Sequence, residues 1–292
     1  MKILVTGSQG FIGPRAIEVF GKKHEVKGVD LLEGLDLADF KRTREVFDDF
    51  QPDYVIHCAA SSSVKFCEEN KEIANHNNII ATRNIATLCA KYDSTVIFCS
   101  TDHVYRYSEL PLCLHEYNEI KGASHYGFTK AICEQEIRAV VKKHYITRLC
   151  WQYGIYEEGM PPCESRFGMV EIAAKALKND KPITVVKGSR QHTSYVYDTI
   201  DVFSQMIEQK LPYGVYNVTS ENELTVKGLY THIFRVMGAD EKKILELIIE
   251  KDGQPNILTA EPYYLKCLGY RMPSFEKGLE RYMQELHETA DY

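Results

Sequence analysis

Apolar positions along this chain fall into short unbroken runs separated by longer amphipathic stretches. The runs are KILVT (2–6), EVKGVD (25–30), YVIHCA (54–59), TVIFCS (95–100) and YITRLC (145–150). Between them, the segments near 11–22, 39–50, 70–91 and 124–143 carry apolar residues three and four apart against charged partners, the spacing of helices that cover a sheet. Strands alternating with helices in this way predict a parallel sheet covered on both faces. With right-handed crossovers the result is an α/β, doubly wound fold.

After about residue 151 the rhythm changes. A loop with Gly159, Pro161 and Pro162 precedes a helical stretch, RFGMVEIAAKALKND, then a strand, ITVVKG, and less regular elements. The pattern predicts a first domain over 1–150 and a smaller lobe occupying most of 151–292. GVYNVTS (214–220) is strand-like, so a later segment, about 195–222, is expected to rejoin the first sheet. No internal repeat or low-complexity tract interrupts the chain.

The first strand run leads directly into GSQGFIG (7–13), three glycines spaced by three. A sharp strand-to-helix bend calls for positive φ at Gly7, which only glycine adopts without steric cost. A Cβ at Gly10 would obstruct a diphosphate approaching the N–H groups of the helix start. Gly13 would let the helix lie close to the first strand, and Pro14 is tolerated because early helical N–H groups have no partner. Asp30 ends the second strand about 20 residues on, where a carboxylate accepts from the adenosine ribose of a dinucleotide and repels a 2′-phosphate. Leu31 and Leu32 follow it, which favours NAD(H) over NADP(H), while Lys27 leaves NADP(H) open.

Composition narrows the partners. A net charge of −6 offers no cation excess to replace counterions, which argues against nucleic acid and anionic membrane and for small-molecule chemistry. No stretch approaches the ~18 apolar residues of a membrane span, and Met1-Lys2 lead straight into a strand, so a cytoplasmic protein is expected. The nine cysteines include no C-x-x-C pair; with Cys58, Cys99 and Cys150 inside apolar runs, they read as mostly buried, reduced thiols, with neither a disulfide framework nor a metal site.

The chemistry-bearing stretch is SHYGFTK, in which Tyr126 and Lys130 stand four apart on a helical pattern and hence on one face. A lysine ammonium beside a tyrosine favours the phenolate and lowers the phenol's pKa. Ser100 and Thr101 end the strand TVIFCS, at the edge where open parallel sheets hold ligands. Thr101, Tyr126 and Lys130 together supply a hydrogen-bonding group, a proton donor and a charge that tunes it, next to a hydride carrier at the glycines. Trp151 is expected in the core, and His103 and His125 lack metal-ligand partners at recognisable spacing.

TGSQGFIG, STDHVY and YGFTK, in that order, identify the chain as resembling the extended short-chain dehydrogenase/reductases, a Rossmann-type class of nucleotide-sugar epimerases, dehydratases and reductases. Within that class it is most similar to the dTDP-4-dehydrorhamnose reductase family, through PDYVIHCAASSSVKFCEEN, Asn78 and Asn84, and RLCWQYG at 148–154, and more weakly through Pro255-Asn256 and GYRMPSFEKGL. The resemblance implies that Gly7, Gly10, Phe11, Ile12 and Gly13 hold a pyrophosphate, Asp36 and Leu37 flank the adenine, and Ala59 and Ala60 line the dinucleotide path. It implies that Thr101 holds a substrate keto oxygen, Tyr126 protonates it, and Lys130 grips the nicotinamide ribose. Ser62, Asp102 and Arg190 are expected on the substrate, and Asn78 as a structural tie beneath the site.

Departures from the family pattern cluster on the substrate side. They are Val64-Lys65, Arg106 and Tyr107 after STDHVY, and RQHTS at 190–194. Arg15 stands where the family often has a magnesium-binding glutamate at a dimer contact, so no such metal is expected, while a homodimer stays open. Arg166, Arg190, His192 and Tyr195 are candidates to meet a substrate diphosphate. The reading is NAD(P)H-dependent reduction of the keto group of a nucleotide-activated deoxysugar. Two alternatives remain: an epimerase or dehydratase that keeps its cofactor, and a non-catalytic cofactor-binding regulatory subunit like that of methionine adenosyltransferase.

Overall fold

The computed structural model describes residues 1–105, 114–156, 168–221 and 224–290, with backbone alone at 258 and 287–290. Arg106, Tyr107, Gly159, Pro161, Pro162 and Arg166 lie outside the described residues. The first half runs β1 (Lys2–Thr6), α1 (Gly13–Gly21), β2 (Glu25–Val29), α2 (Phe40–Phe50), β3 (Tyr54–His57), α3 (Val64–Glu69), α4 (Lys71–Ala74), a π-helical turn (Asn75–Ile80), α5 (Ala81–Tyr92), β4 (Thr95–Thr101), α6 (His125–Val140) and β5 (His144–Leu149). Next come β6 (Trp151–Tyr153), α7 (Met169–Asn179), β7 (Ile183–Val186), β8 (Arg190–Gln191), β9 (Thr193–Tyr195), α8 (Val196–Glu208) and β10 (Gly214–Val218). The chain closes with β11 (Leu224–Thr225), α9 (Val226–Val236), α10 (Glu241–Leu247), β12 (Ile248–Lys251), β13 (Ile257–Leu258), α11 (Tyr263–Cys267) and α12 (Phe275–Ala290).

Six parallel strands form the main sheet in the order β10-β5-β4-β3-β1-β2. The two-residue period of a strand sends Ile3 and Val5 to one face and Leu4 to the other, and both faces are packed. Ile3, Val5, Ile97 and Cys99 meet Ala16 and Phe20 of α1 and Ile200, Phe203 and Met206 of α8. Leu4, Val96 and Phe98 meet Phe47 of α2, Ile85 and Leu88 of α5, and Ile137 of α6. Burial on both faces is why the strand segments read as unbroken apolar runs. A separate apolar cluster joins Val170 and Ala173 of α7, Leu229 and Phe234 of α9, and Phe275 and Leu279 of α12.

The stretch 70–91, which reads as one helix, is broken. A π-helical turn at Asn75–Ile80 separates α4 from α5, and its widened winding serves two adjacent asparagines. Asn78 Oδ1 accepts from the Ser61 N–H at 2.7 Å, and Asn77 Nδ2 donates to Ser61 Oγ at 3.0 Å. Asn78 Nδ2 also donates to Ser61 O at 3.1 Å and to Thr129 Oγ1 at 2.9 Å, tying the loop after β3 to α6.

Candidate active site

The order of the sheet reverses between β1 and β3, the place where a doubly wound sheet opens a crevice at its carboxyl edge. Gly7 turns the chain there with φ +70°, and a Cβ on it would stand 2.7 Å from the Ala59 nitrogen. Glycine is required at that position by dihedral and by space alike. Gly13 also excludes a Cβ, which would lie 2.1 Å from Gly7 O, so it packs on the turn itself rather than on the strand. A cleft of about 780 Å³ runs along this edge. Gly7, Gly10, Phe11 and Ile12 line its middle, Asp30, Asp36 and Leu37 one end, and Ala59, Ala60 and Ser62 one wall. Thr101, Asp102, Tyr126 and Lys130 line its inner part, whereas Gly13 and Arg190 are not in its lining.

At the outer end the Asp30 carboxylate is held by two backbone amides, Gln9 N at 3.0 Å and Leu32 N at 2.9 Å. Glu33 adds a second carboxylate, accepting from Gln9 Nε2 at 2.9 Å. Lys27 is engaged elsewhere, 2.9 Å from Asp49. Asp36 accepts from the Ala38 amide at 2.8 Å and pairs with His76 at 2.8 Å. Although partial burial raises its pKa, these hydrogen bonds prevail and hold the carboxyl below its usual range. Asn84 fixes the same turn, its amide donating to Leu37 O and Ala38 O at 2.9 Å each.

At the inner end Tyr126 and Lys130 sit on the first turns of α6, whose N-cap Ser124 accepts from the Gly127 amide at 3.1 Å. Thr101, at the end of β4, lines the same inner part of the cleft as Tyr126, and its side chain acts to lower the phenol's pKa. Thr101 Oγ1 donates to Asp102 Oδ1 at 3.1 Å and accepts from the His103 amide at 3.2 Å. Burial pushes the Tyr126 phenol well up, with the Thr101 side chain acting against it, so the lowering expected from Lys130 is not the dominant effect. The reason is position. The Lys130 ammonium lies 4.4 Å from the centroid of the Phe98 ring, among Cys58, Cys99 and Cys133, and burial pulls its own pKa down. Burial likewise raises the Asp102 carboxyl, whose Oδ2 is buried without a hydrogen-bond partner.

A buried network fixes the separation of these groups. Glu134, one turn beyond Lys130, accepts from Ser100 Oγ at 2.6 Å and from Arg148 at 3.0 and 2.7 Å. Arg148 also donates to Tyr105 Oη and Glu116 O at 3.0 Å each, and Tyr105 Oη donates to Asn217 Oδ1 at 2.6 Å. The pair is 1% and 0% exposed, so both charges are fully desolvated and depend on each other.

Several residues are placed differently from expectation. Trp151 is 40% exposed and lines the cleft instead of entering the core, because its strand β6 leaves the main sheet to pair with β9. Arg190 lies in the three-stranded sheet β11-β8-β13, outside the lining. His192 is buried, with a pKa pulled down to about 4 by desolvation, and Tyr195 donates to Glu285 at 2.6 Å, so neither is in the cleft lining. Cys267 is exposed, unlike Cys67, Cys89, Cys99, Cys133 and Cys150. Arg15 is buried and ties α1 to the second lobe, donating to Phe11 O at 2.6 Å and to Ile155 O. Among the described residues no group of three or more histidine, cysteine or acidic side chains is disposed to hold a metal.

Sequence reasoning did not single out Tyr156 or Glu171, both of which line the cleft. Tyr156 stacks on Phe11 at 5.5 Å. Glu171 projects from α7; Tyr282 Oη donates to its Oε1 at 3.3 Å, while Oε2 is buried and unpartnered. Neither belongs to a motif. Only the approach of α7 to the sheet edge brings Glu171 there.

A family model described as the RmlD substrate binding domain matches residues 1–260. The spore coat polysaccharide biosynthesis protein SpsK of Bacillus subtilis is 24% identical over 298 residues, covering 99% of each chain. A dTDP-4-dehydrorhamnose reductase of Aggregatibacter actinomycetemcomitans is 25% identical over 279 residues, covering 90% of this chain and 86% of its own. The crystal structure of dTDP-4-dehydrorhamnose reductase from Bacillus anthracis, in complex with NADP, superposes with a TM-score of 0.85 at 24% identity, covering 97% and 98% of the two chains. With a matched model over most of its length, the expected sheet and the glycine turn and Thr–Tyr–Lys set on one crevice, the chain belongs to the RmlD substrate binding domain family, within the extended short-chain dehydrogenase/reductases.

Proposed function

We propose that this protein is an NAD(P)H-dependent reductase of the keto group of a nucleotide-activated deoxysugar. The observation that carries the reading is the convergence of Thr101, Tyr126 and Lys130 on the cleft that the glycine turn also lines, with Lys130 one helical turn beyond Tyr126. The family match and the reductase relatives support it. The residues fit a nicotinamide dinucleotide: Gly7 and Gly10 line the cleft without side chains, Asp30 has lone pairs left for ribose hydroxyls, and Ala59 and Ala60 leave room along the wall. When bound there, that cofactor supplies the hydride. Thr101 positions the keto oxygen, and Tyr126 donates its proton as charge develops on that oxygen, with the phenol kept protonated until then by burial. Lys130 offers its ammonium to the ribose hydroxyls and to the phenolate left behind.

NAD(H) is the preferred carrier in this reading, since Asp30 would face a 2′-phosphate, Glu33 adds negative charge next to it through Gln9, and Lys27 is already paired. Asp102 Oδ2 and Glu171 Oε2, both buried and unpartnered on the cleft, are acceptors for sugar or base donors, and Trp151 offers an apolar face between them and solvent. The second lobe, mainly 151–292, receives the nucleotide sugar. Incubation with NADH and a panel of dTDP-, UDP-, GDP- and CDP-4-keto-deoxysugars, following absorbance at the reduced-nicotinamide band and identifying products, tests the reading. NADH consumption with one member supports it. Isomerisation without consumption replaces it with an epimerase, and stoichiometric NADH binding without turnover of any member replaces it with a regulatory role.

A further inference from the structure

Two thiols the proposed reaction does not use lie in the floor of the cofactor cleft. The ladder between β3 and β4 pairs His57 with Phe98, so the next positions, Cys58 and Cys99, face each other across a strand spacing of about 4.8 Å. Their Sγ atoms are 3.4 Å apart, both residues line the cleft, and both thiols are free. A disulfide needs Cα atoms about 4.4–6.8 Å apart and an S–S bond of about 2.05 Å, so the strands are already within range, and side-chain rotation with a small shift of the strand ends closes the remainder. The buried Lys130 ammonium beside them favours thiolate at Cys58.

We propose that Cys58 and Cys99 are an oxidation site, closed to a reversible disulfide by a peroxide. Cys58, the more exposed of the two, is the attacking thiol. Its thiolate attacks one peroxide oxygen and the O–O bond breaks; the product is a sulfenic acid, and the departing hydroxide takes a proton to become water. The Cys99 sulfur then attacks the Cys58 sulfur, forming the S–S bond and breaking S–O. The hydroxide leaves with the Cys99 proton as a second water. Two thiols are thereby oxidised by two electrons and one hydrogen peroxide is reduced to two waters. The mutual hydrogen bond and burial hold the Cys58 thiol well above its usual pKa, so the first step is slow near neutrality and quickens as pH rises.

Closing the bond moves both strand ends that carry the site. Cys58 adjoins Ala59, against which Gly7 packs, and Cys99 lies two positions before Thr101. Cofactor affinity should therefore fall on oxidation and return on reduction. The test treats the full-length protein with hydrogen peroxide, maps its peptides without reduction, and titrates NADH before oxidation, after it, and after dithiothreitol. A Cys267→Ser background removes an exposed thiol that could link two molecules. The expected result is a Cys58–Cys99 linked peptide, about 2 Da lighter than its reduced parts, slowed in formation by saturating NADH and accompanied by a roughly tenfold, reversible loss of NADH affinity. Oxidation that leaves Cys58 and Cys99 unlinked while other cysteines react would overturn the proposal, as would a linked peptide with unchanged NADH binding. The chemistry is read by mass in the unaltered pair, so it stands or falls whatever the sugar substrate proves to be. Cys58→Ser provides the control in which Cys99 should remain reduced or reach only a sulfenic or higher acid.

Discussion

At the scale of single residues, proton donation and cofactor choice separate cleanly. Tyr126→Phe keeps the ring but removes the proton-donating hydroxyl, and should lower kcat by ~10²-fold or more with little change in NADH affinity. Lys130→Met should harm both, because the ammonium serves ribose and phenol together. Steady-state kinetics with a turned-over keto sugar, set beside fluorescence titration of NADH, checks the pair; an unchanged kcat in Tyr126→Phe would assign the proton to another group. Asp30→Ala removes the carboxylate held by Gln9 and Leu32 and should narrow the preference for NADH over NADPH. Titration of both reduced cofactors measures it, and tighter NADPH binding by the unaltered protein would refute Asp30 as the discriminating group.

Among the elements, α6 matters most, because it carries the tyrosine and lysine and is bolted to β4 and β5 by one carboxylate. Glu134→Gln leaves the shape of the side chain but strips the charge that faces Arg148, which stays buried. Removing one member of a fully buried pair costs about 3–5 kcal/mol, so the urea midpoint should drop markedly. The second substitution in a Glu134→Gln, Arg148→Met protein should cost much less than Arg148→Met alone, since the latter leaves the buried Glu134 carboxylate with only the exposed Arg138, 3.5 Å away, and the double variant leaves no carboxylate there. Additive losses in the urea series would show that the pair is not coupled.

For the molecule as a whole, buried histidines weaken the fold on the acid side, while the Asp198 carboxyl, raised to about 6, opposes them. His57 lies in the core between Thr6 Oγ1 at 2.7 Å and Thr82 Oγ1 at 3.0 Å, and desolvation, aided by the Lys130 charge, pulls its pKa down to about 3. His192 is pulled down to about 4. The unfolded chain protonates these rings near pH 6.5 and the folded one does not, so the unfolded state binds more protons below that pH. The contribution of these rings is therefore fully present above about pH 6.5 and lost as pH falls towards the folded values, at up to about 1.4 kcal/mol per pH unit for each ring. In urea midpoints measured from pH 7 to 5, His57→Gln should shift the slope towards greater relative stability at low pH even if it lowers the midpoint at pH 7. A slope unaffected by His57→Gln would assign the acid limb to other groups.

The sheet, its covering helices and the motif residues were legible in the chain because each rests on local physics. Double-sided burial writes unbroken apolar runs, a tight strand-to-helix turn demands glycine at position 7, and a helix places Tyr126 and Lys130 on one face. Asp30 could be read for the same reason, since it ends a strand next to the glycine turn. Other features depend on contacts between segments far apart in the chain. Trp151 and Cys150 are neighbours in one apolar stretch and both line the cleft, yet one is exposed and the other buried, because the chain leaves the main sheet between them to pair with β9. Arg190 has phosphate-binding chemistry, but its strand's partners hold it in the small sheet. Glu171 and the Cys58–Cys99 pair carry no motif, and their places follow from where α7 and two strand ends meet the crevice. Spacing put Lys130 on the face of Tyr126, but only the packed surroundings decided that burial, rather than the lysine, sets the phenol's pKa, because desolvation depends on every neighbouring element and periodicity on one.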